Sequence, residues 1–197
     1  MIMRALLLIM IVVLAACESG QEGSTTVPAR ALEGVPAGAI TEAYQDNPDL
    51  VKVTLKNGAG QITEQGEYFQ GARHGNWTVY HTNGLVSSIT NYQQGVKEGL
   101  SLTLENNGQL LEKTYYHNGM KHGESIIFNR TKIKEERLYK NDKLEGIVKI
   151  FYDTGKIMEE GLYENGKRHG ISKWYDQEGN VSIEYEYDNG ELVKEDS

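Results

Sequence analysis

The sequence predicts an all-β chain, an elongated single-layer antiparallel meander built from stacked hairpins of about 24 residues each. Three observations predict this fold. A tyrosine recurs at nearly constant spacing, glycines recur at fixed offsets from it, and the segments between them alternate apolar and polar residues. Alternation with a period of two is typical of strands, and no stretch after residue 50 has the 3.6-residue period of an amphipathic helix.

The repeat is defined by six tyrosines, separated by 24, 24, 23, 24 and 24 residues. They are Tyr68, Tyr92, Tyr116, Tyr139, Tyr163 and Tyr187. Three residues after each tyrosine comes a glycine, except where Asp142 stands. In the first five repeats a second glycine always follows four residues later, and a third follows nine residues after that, replaced once by Lys132. A fixed period of this length indicates a repeat architecture.

Each repeat contains two strand-like segments, one ending near the tyrosine and one following the second glycine. Six Asn-Gly dipeptides fall near the ends of these segments, and both residues tolerate the positive φ angles of tight hairpins. A distorted turn is expected at residues 130–133, where the repeat is one residue short. We expect the six tyrosines to form one aromatic core with apolar residues of the second strands. These are Tyr80, Leu104, Phe128, Phe151 and Tyr175.

The first 16 residues have the pattern of an export signal. Arg4 is followed by an apolar run over residues 5–16, which is shorter than the ~20 residues needed to span a bilayer. Residues 14–17 read Leu-Ala-Ala-Cys, with small residues where the run ends. An ordinary export signal with an incidental cysteine, or a short uncleaved anchor, would also fit this pattern.

The same four residues resemble the lipobox of bacterial lipoproteins. That resemblance implies that Cys17 becomes the first residue after cleavage and carries lipid through a thioether. It also implies that Glu18, which stands where aspartate would favour retention, directs the protein to the outer membrane, facing the periplasm, rather than to the inner membrane. Two or more acyl chains anchor a protein stably where a single chain does not.

Composition divides the chain into three parts. We expect a signal peptide over residues 1–16, the lipidated cysteine and a flexible tether over 17–49, and a domain of about six repeats over 50–197. All 3 prolines precede residue 50, whereas 16 of the 17 aromatic residues follow it, Tyr44 being the exception. A short helix over residues 37–45 is expected within the tether.

Composition and motifs also bear on the class of function. A net charge of −8 argues against nucleic-acid binding, and a single cysteine excludes an intrachain disulfide.

His74, His122 and His169 occupy one slot in alternate repeats, which puts them roughly 19 Å apart in a sheet, too far to share a metal. His117 and His122 can approach across a turn but have no third ligand. No catalytic motif is present, so we expect no metal, no cofactor and no enzyme activity; an envelope hydrolase is the enzymatic alternative.

Residues 116–123 and 163–170 carry the pattern Tyr-x-x-Gly-x-Lys/Arg-x-Gly, which resembles the MORN repeat variant. The resemblance extends over residues 51–190. Chains built mainly of such repeats are grouped with YwqK-type antitoxins. The departures from the pattern are Leu144 in a basic slot, Lys132 in a glycine slot and Leu104 in an aromatic slot.

Acidic residues stand four positions before four of the tyrosines. They are Glu64, Glu112, Glu135 and Glu159. They could bind cations or a basic partner, or pair with the basic slots of adjoining strands, and we expect the pairing.

The function expected from the sequence is that of a non-catalytic lipoprotein, anchored in the membrane through Cys17, whose sheet binds a protein or another envelope component. The residues expected to contact the partner are Arg73, Trp77, Lys97, Lys121, Arg168 and Trp174. The alternative is an antitoxin or immunity protein that neutralises a partner toxin.

Overall fold

The computed structural model describes residues 27–196, which form one antiparallel sheet and one short 3₁₀ helix, Ala29–Leu32. The strands are β1 Ile40–Ala43, β2 Leu50–Lys56, β3 Ile62–Phe69, β4 Ala72–Tyr80, β5 Val86–Gln93, β6 Val96–Leu104, β7 Leu110–His117, β8 Met120–Asn129, β9 Lys132–Lys140, β10 Lys143–Leu144, β11 Gly146–Phe151, β12 Ile157–Glu164, β13 Lys167–Tyr175, β14 Val181–Asp188 and β15 Glu191–Asp196. The expected signal peptide and Cys17 lie outside the described residues.

Each strand pairs with the next one along the chain, and all pairs are antiparallel. The one departure is the two-residue strand β10, which pairs only with β9, while β11 continues the sheet between β9 and β12. The predicted all-β meander is therefore confirmed.

Two-residue turns join the strand that carries each repeat tyrosine to the following strand. In the first of them both central residues have positive φ, 48° at Gln70 and 82° at Gly71. This geometry matches the right-handed twist of paired strands. In the fourth such turn Asn141 and Asp142 adopt φ values of 52° and 65°. Aspartate is one of the few residues that adopt this conformation at modest cost, which explains its place in the glycine slot.

The opposite ends of the strands are joined mostly by longer loops, and here one expectation is wrong. Only three of the six Asn-Gly dipeptides form the tight turn in which both residues have positive φ. In the other three, Asn57, Asn83 and Asn107 instead accept a hydrogen bond through Oδ1 from the backbone N–H two residues later. The asparagine is used there for its side-chain oxygen rather than for its tolerance of positive φ.

The expected irregular turn at residues 130–133 is present. β8 and β9 pair up to Asn129 and Lys132, which leaves Arg130 and Thr131 as a two-residue turn. Arg130 has a φ of 58°. The missing residue thus converts a longer loop into a tight turn.

The expected single aromatic core is wrong, because the repeat tyrosines and the apolar residues of the second strands lie on opposite faces of the sheet. The repeat that contains Trp174 and Tyr175 shows this arrangement. The indole of Trp174 donates to Glu159, and the hydroxyl of the next residue, Tyr175, donates to Glu160. Consecutive strand residues point to opposite faces. Arg168 packs on Trp174 and on Tyr163, so Tyr175 lies on the face away from the repeat tyrosines. We call the face that carries the six repeat tyrosines the tyrosine face.

The expected tether is partly wrong, because residues 27–49 pack against the start of the sheet. Residues 40–43, where a helix was expected, form β1 and pair with β2. Ala31 of the 3₁₀ helix is buried together with Val51 and Val53, all with no exposed surface. The hydroxyl of Tyr44 donates to a carboxylate oxygen of Glu67 at 2.6 Å. Pairing satisfies the backbone groups along the edge of β2, and this long-range gain outweighs local helix propensity.

Candidate interaction surfaces

The tyrosine face carries a column in which tyrosines alternate with basic side chains. The Arg73 guanidinium carbon lies 4.2 Å from the centre of the Trp77 ring and 5.8 Å from that of Tyr92. Lys97 Nζ lies 4.7 Å from the ring of Tyr116. The same stacking recurs further along the sheet for Lys121 on Tyr139 and for Arg168 on Tyr163 and Tyr187. Such contacts are cation–π interactions.

The expected pairing of acidic and basic side chains on this face is confirmed for three repeats. Arg73 pairs with Glu64 at 2.8 Å, Lys121 pairs with Glu112 at 3.2 Å, and Arg168 pairs with Glu159. Two of these carboxylates also accept from an indole: the Trp77 Nε1–H donates to Glu64 at 2.8 Å and the Trp174 Nε1–H donates to Glu159 at 3.0 Å.

The basic slot that holds Leu144 is compensated by a neighbouring residue. Arg137 forms an ion pair with Glu135 and donates to the Tyr139 hydroxyl at 3.3 Å. Burial alone would lower the pKa of Arg137, but the hydrogen bonds with Tyr139 and Glu135 outweigh it and raise the pKa. The fourth repeat therefore keeps a cation, a tyrosine and a carboxylate together by using a different strand position.

These contacts change the roles of the predicted partner-binding residues. Trp77 is only 1% exposed and belongs to the buried cluster that includes Tyr68, so its side chain is not accessible to a partner. Arg73, Lys121 and Arg168 are half-buried, with 24–33% of their side chains exposed, and each is held by a carboxylate. Lys97 is half-buried as well, and it differs from these three in having no ion pair with any described side chain.

In the second, third and fourth repeats, the residue after the basic slot contacts the next tight turn along the sheet. Glu98 and Glu145 accept the backbone N–H of Asn118 and Asn165 in the next tight turn, both at 2.9 Å. In the intervening repeat His122 Nδ1 lies 3.2 Å from Asn141 Oδ1. These residues link one turn to the next.

Two histidines meet as expected. The rings of His117 and His122 have centroids 5.7 Å apart, with His117 bonded to Glu98 at 2.9 Å. Within residues 27–196 no group of three His, Cys, Asp or Glu side chains is arranged to hold a metal ion.

The opposite face carries an exposed stripe of apolar side chains that the sequence reasoning missed. We call Leu138, Ile147, Leu162 and Ile171 the apolar row. They lie on four consecutive strands of the sheet, from β9 to β13. Leu138 is 44% exposed, Ile147 is 56% exposed and Ile171 is 50% exposed. Glu124 on β8 lies opposite Leu138 and interrupts the stripe. The stripe continues towards the start of the sheet with Tyr115 on β7 and Leu100 on β6, which lie opposite each other.

A signal for the apolar row was present in the sequence. Its members stand either directly before a repeat tyrosine or directly after the second glycine of a repeat. In the first two repeats three of these four positions are polar, namely Glu67, Asn76 and Asn91. The fourth and fifth repeats fill all four of theirs with large apolar residues.

Charged residues of alternating sign lie beside the apolar row. Each is directly opposite the next in the sheet register, and together they form what we call the charged row. Its members are Glu136, Lys149, Glu160, Lys173 and Glu184. A shallow depression of about 260 Å³ lies between the two rows, lined by Ile147, Leu162 and Ile171 on one side and by Glu160 and Lys173 on the other. The hydrogen bond to Glu160 raises the pKa of Tyr175 to about 12.

No helix within residues 27–196 has the length and apolar character needed to cross a bilayer.

Comparison with solved structures gives weak similarity. A crystal structure of a mutant of S. aureus TarM in complex with fondaparinux, alpha-GlcNAc-glycerol and UDP is 18% identical, with a TM-score of 0.36. A second TarM structure is 19% identical, with the same TM-score. Each alignment covers 55% of this chain and 21% of the TarM chain, so the protein spans about a fifth of those structures. No curated protein matches the sequence.

Comparison with family models agrees with the fold. Residues 73–94, 144–165 and 168–195 match the MORN repeat variant. Of the two segments that carried the resemblance, 163–170 overlaps these matches, whereas 116–123 lies between them. Three segments of the chain are thus similar to the MORN repeat variant, and all three lie in one continuous antiparallel sheet.

Proposed function

We propose that the protein is a non-catalytic lipoprotein of the bacterial cell envelope whose sheet binds another protein through the apolar row. Repeats of the MORN type are generally associated with membrane or protein interaction. The observation that carries the proposal is the exposure of large apolar side chains in one row, about half of the surface of Ile147 and Ile171. Contiguous exposed apolar surface of this kind is typical of interaction sites.

The charged row favours a protein over a lipid surface as the occupant. It contains three acidic residues and two basic ones, and the whole chain has a net charge of −8. Anionic lipid headgroups attract basic surfaces, so an acidic border disfavours them. A protein segment with apolar side chains flanked by charges of alternating sign would match both rows.

The anchor we propose is Cys17, and the segment that links it to the sheet is shorter than the 17–49 tether expected from the sequence. Because residues from Val27 onwards pack on the sheet, only nine residues separate Cys17 from the domain. An extended chain of that length spans at most about 35 Å. The start of the sheet would therefore stay within about 35 Å of the membrane, which we propose is the outer membrane, on its periplasmic side.

We keep Arg73, Lys97, Lys121, Arg168 and Trp174 as proposed secondary contacts through their exposed atoms. The antitoxin or immunity role is a narrower form of the same proposal, in which the bound protein is a toxin. Identification of the captured partner decides between the two.

Partner capture tests the role of the apolar row. The envelope is crosslinked in cells that carry the wild type or the double variant Ile147→Glu with Ile171→Glu. The control is Leu85→Glu with Ile62→Glu, which adds the same charge at exposed apolar residues outside the row. We expect a discrete partner with the wild type and the control, and at least a tenfold loss with the row variant. Equal recovery from all three would contradict the proposal, as would capture of only a second copy or of lipid.

The anchor is tested separately by Cys17→Ser. We expect the variant to lose palmitate labelling and to leave the membrane fraction. Unchanged labelling and fractionation would show that the anchor has been assigned wrongly.

A further inference from the structure

Two neighbouring repeats differ at one position of an otherwise identical cluster on the tyrosine face. In the later repeat, Oε1 of Glu112 accepts from the hydroxyl of Thr114 at 2.8 Å, from Lys121 Nζ at 3.2 Å and from the hydroxyl of Ser125 at 3.3 Å. Burial alone would raise the pKa of Glu112, but the Thr114 hydrogen bond and the Lys121 charge outweigh it and lower the pKa. The cluster therefore favours a bound carboxylate.

The same donors recur 24 residues earlier. Thr90, Lys97 and Ser101 stand at the positions of Thr114, Lys121 and Ser125. The hydroxyls of Thr90 and Ser101 are 2.9 Å apart, compared with 2.8 Å between those of the later pair. Lys97 also stacks on a repeat tyrosine as Lys121 does, with Nζ 4.7 Å from the ring centre rather than 5.3 Å.

The two clusters differ in the residue that accepts the hydrogen bonds. The position of Glu112 is taken by Ser88 in the earlier repeat. Among the side chains that the structure describes, no Asp or Glu forms an ion pair with Lys97. The other cations of the face are all paired with carboxylates: Arg73, Lys121, Arg137 and Arg168.

We propose that Thr90, Lys97 and Ser101 bind the carboxylate of an acidic side chain supplied by a partner protein. An ammonium group offers three donors, and the hydroxyl pair can direct one proton outwards while the two oxygens remain bonded to each other. The partner's carboxylate would occupy the place that Glu112 fills in the next repeat. Its oxygen would accept from Lys97 and from one hydroxyl, above the ring of Tyr116.

This inference rests on the proposed function only in that the natural ligand belongs to a protein partner. The site lies on the tyrosine face, whereas the apolar row lies on the opposite face. If the Ile147→Glu and Ile171→Glu variant loses partner capture but keeps carboxylate binding at Lys97, both proposals stand. If that variant still captures the partner, the proposed function is contradicted and the carboxylate site is not.

Binding of fluorescent hexaglutamate to the full lipidated chain in non-ionic detergent, followed by anisotropy, tests the site. The variant Ser88→Glu supplies the carboxylate from within the chain. Ser87→Glu is the matched control, because it adds the same charge one residue away, on the opposite face. We expect Ser88→Glu and Lys97→Gln to weaken binding at least tenfold, and Ser87→Glu to weaken it less than twofold.

Competitors identify the source of the carboxylate. Hexaglutamine should not bind, and acetate or inorganic phosphate should displace hexaglutamate only at concentrations far above that of the peptide. As a check on folding, Ser88→Glu should raise the thermal midpoint by about 1–2 °C relative to Ser87→Glu, because it completes an ion pair. Equal weakening by both serine variants, absence of hexaglutamate binding, or displacement by acetate at matched carboxylate concentration would each overturn the proposal.

Discussion

Small residues in the middle of the strands allow the tyrosine face to form its ion pairs. In the three repeats where a glutamate pairs with the basic slot, the two side chains approach each other above a buried glycine or threonine, two residues before the repeat tyrosine. These positions are Gly66, Thr114 and Gly161. A larger side chain there would fill the space that the indole of Trp77 or the paired charges occupy.

Gly66→Ala is expected to destabilise the protein. A Cβ atom at Gly66 would lie 2.1 Å from Cε3 of Trp77, a ring that is 1% exposed and cannot move away freely. Overpacking of this kind costs about 1–3 kcal/mol. Gly58→Ala is the control, because a Cβ there meets no atom within 4 Å and its φ is not positive. Chemical denaturation should show the loss for Gly66→Ala only; equal stability of the two variants would contradict this packing.

The 3₁₀ helix and β1 show how an element can depend on distant partners. A local pattern predicted a helix over residues 37–45, yet residues 40–43 pair with β2. Val27, Ala31, Val35 and Ala39 recur every four residues, and all of them belong to or pack against the first core cluster. This spacing was visible in the sequence, but the surface that it covers exists only once β2 and β3 have paired.

A chain that begins at Leu50 should be less stable than one that begins at Val27. The shorter chain exposes Val51 and Val53, and it loses the bond between Tyr44 and Glu67. Partial exposure of two buried valines costs roughly 3 kcal/mol, and an uncovered β2 edge promotes association between chains. Thermal unfolding and light scattering measure the two effects. Identical midpoints for both chains would show that residues 27–49 are a tether after all.

The positions of the tight turns between strands were predictable from the sequence, because they depend on single residues. The glycines after each tyrosine mark turns because positive φ is a property of the residue itself, and even Asp142 follows this rule. The faces of the aromatic residues were not predictable in the same way. Register shifts such as the one opposite Gly161 and Tyr163, where β13 carries extra residues, change which residues of neighbouring strands face each other, so spacing alone does not show which residues share a face.

On the scale of the whole molecule, the two faces of the sheet differ in chemistry. The tyrosine face is held together by its own ion pairs and cation–π contacts, whereas the apolar row on the opposite face is exposed. Residue type and spacing predicted the first face, because glutamates, cations and tyrosines recur with the repeat. The apolar row was missed because its positions are mostly polar in the first two repeats and hold Glu124 in the third, so the row becomes visible only where β9, β11, β12 and β13 lie side by side.

Direct contact between a protein partner and the apolar row of a membrane-anchored sheet is the central claim. The most direct measurement places a photo-crosslinking amino acid singly at Ile147, at Ile171 or at Asn107, an exposed loop residue, in the lipidated protein in its native envelope. We expect one adduct, with the same partner, from Ile147 and Ile171 and none from Asn107. Adducts of equal strength from Asn107, or adducts at the row that contain only lipid or a second copy of the chain, would contradict the claim.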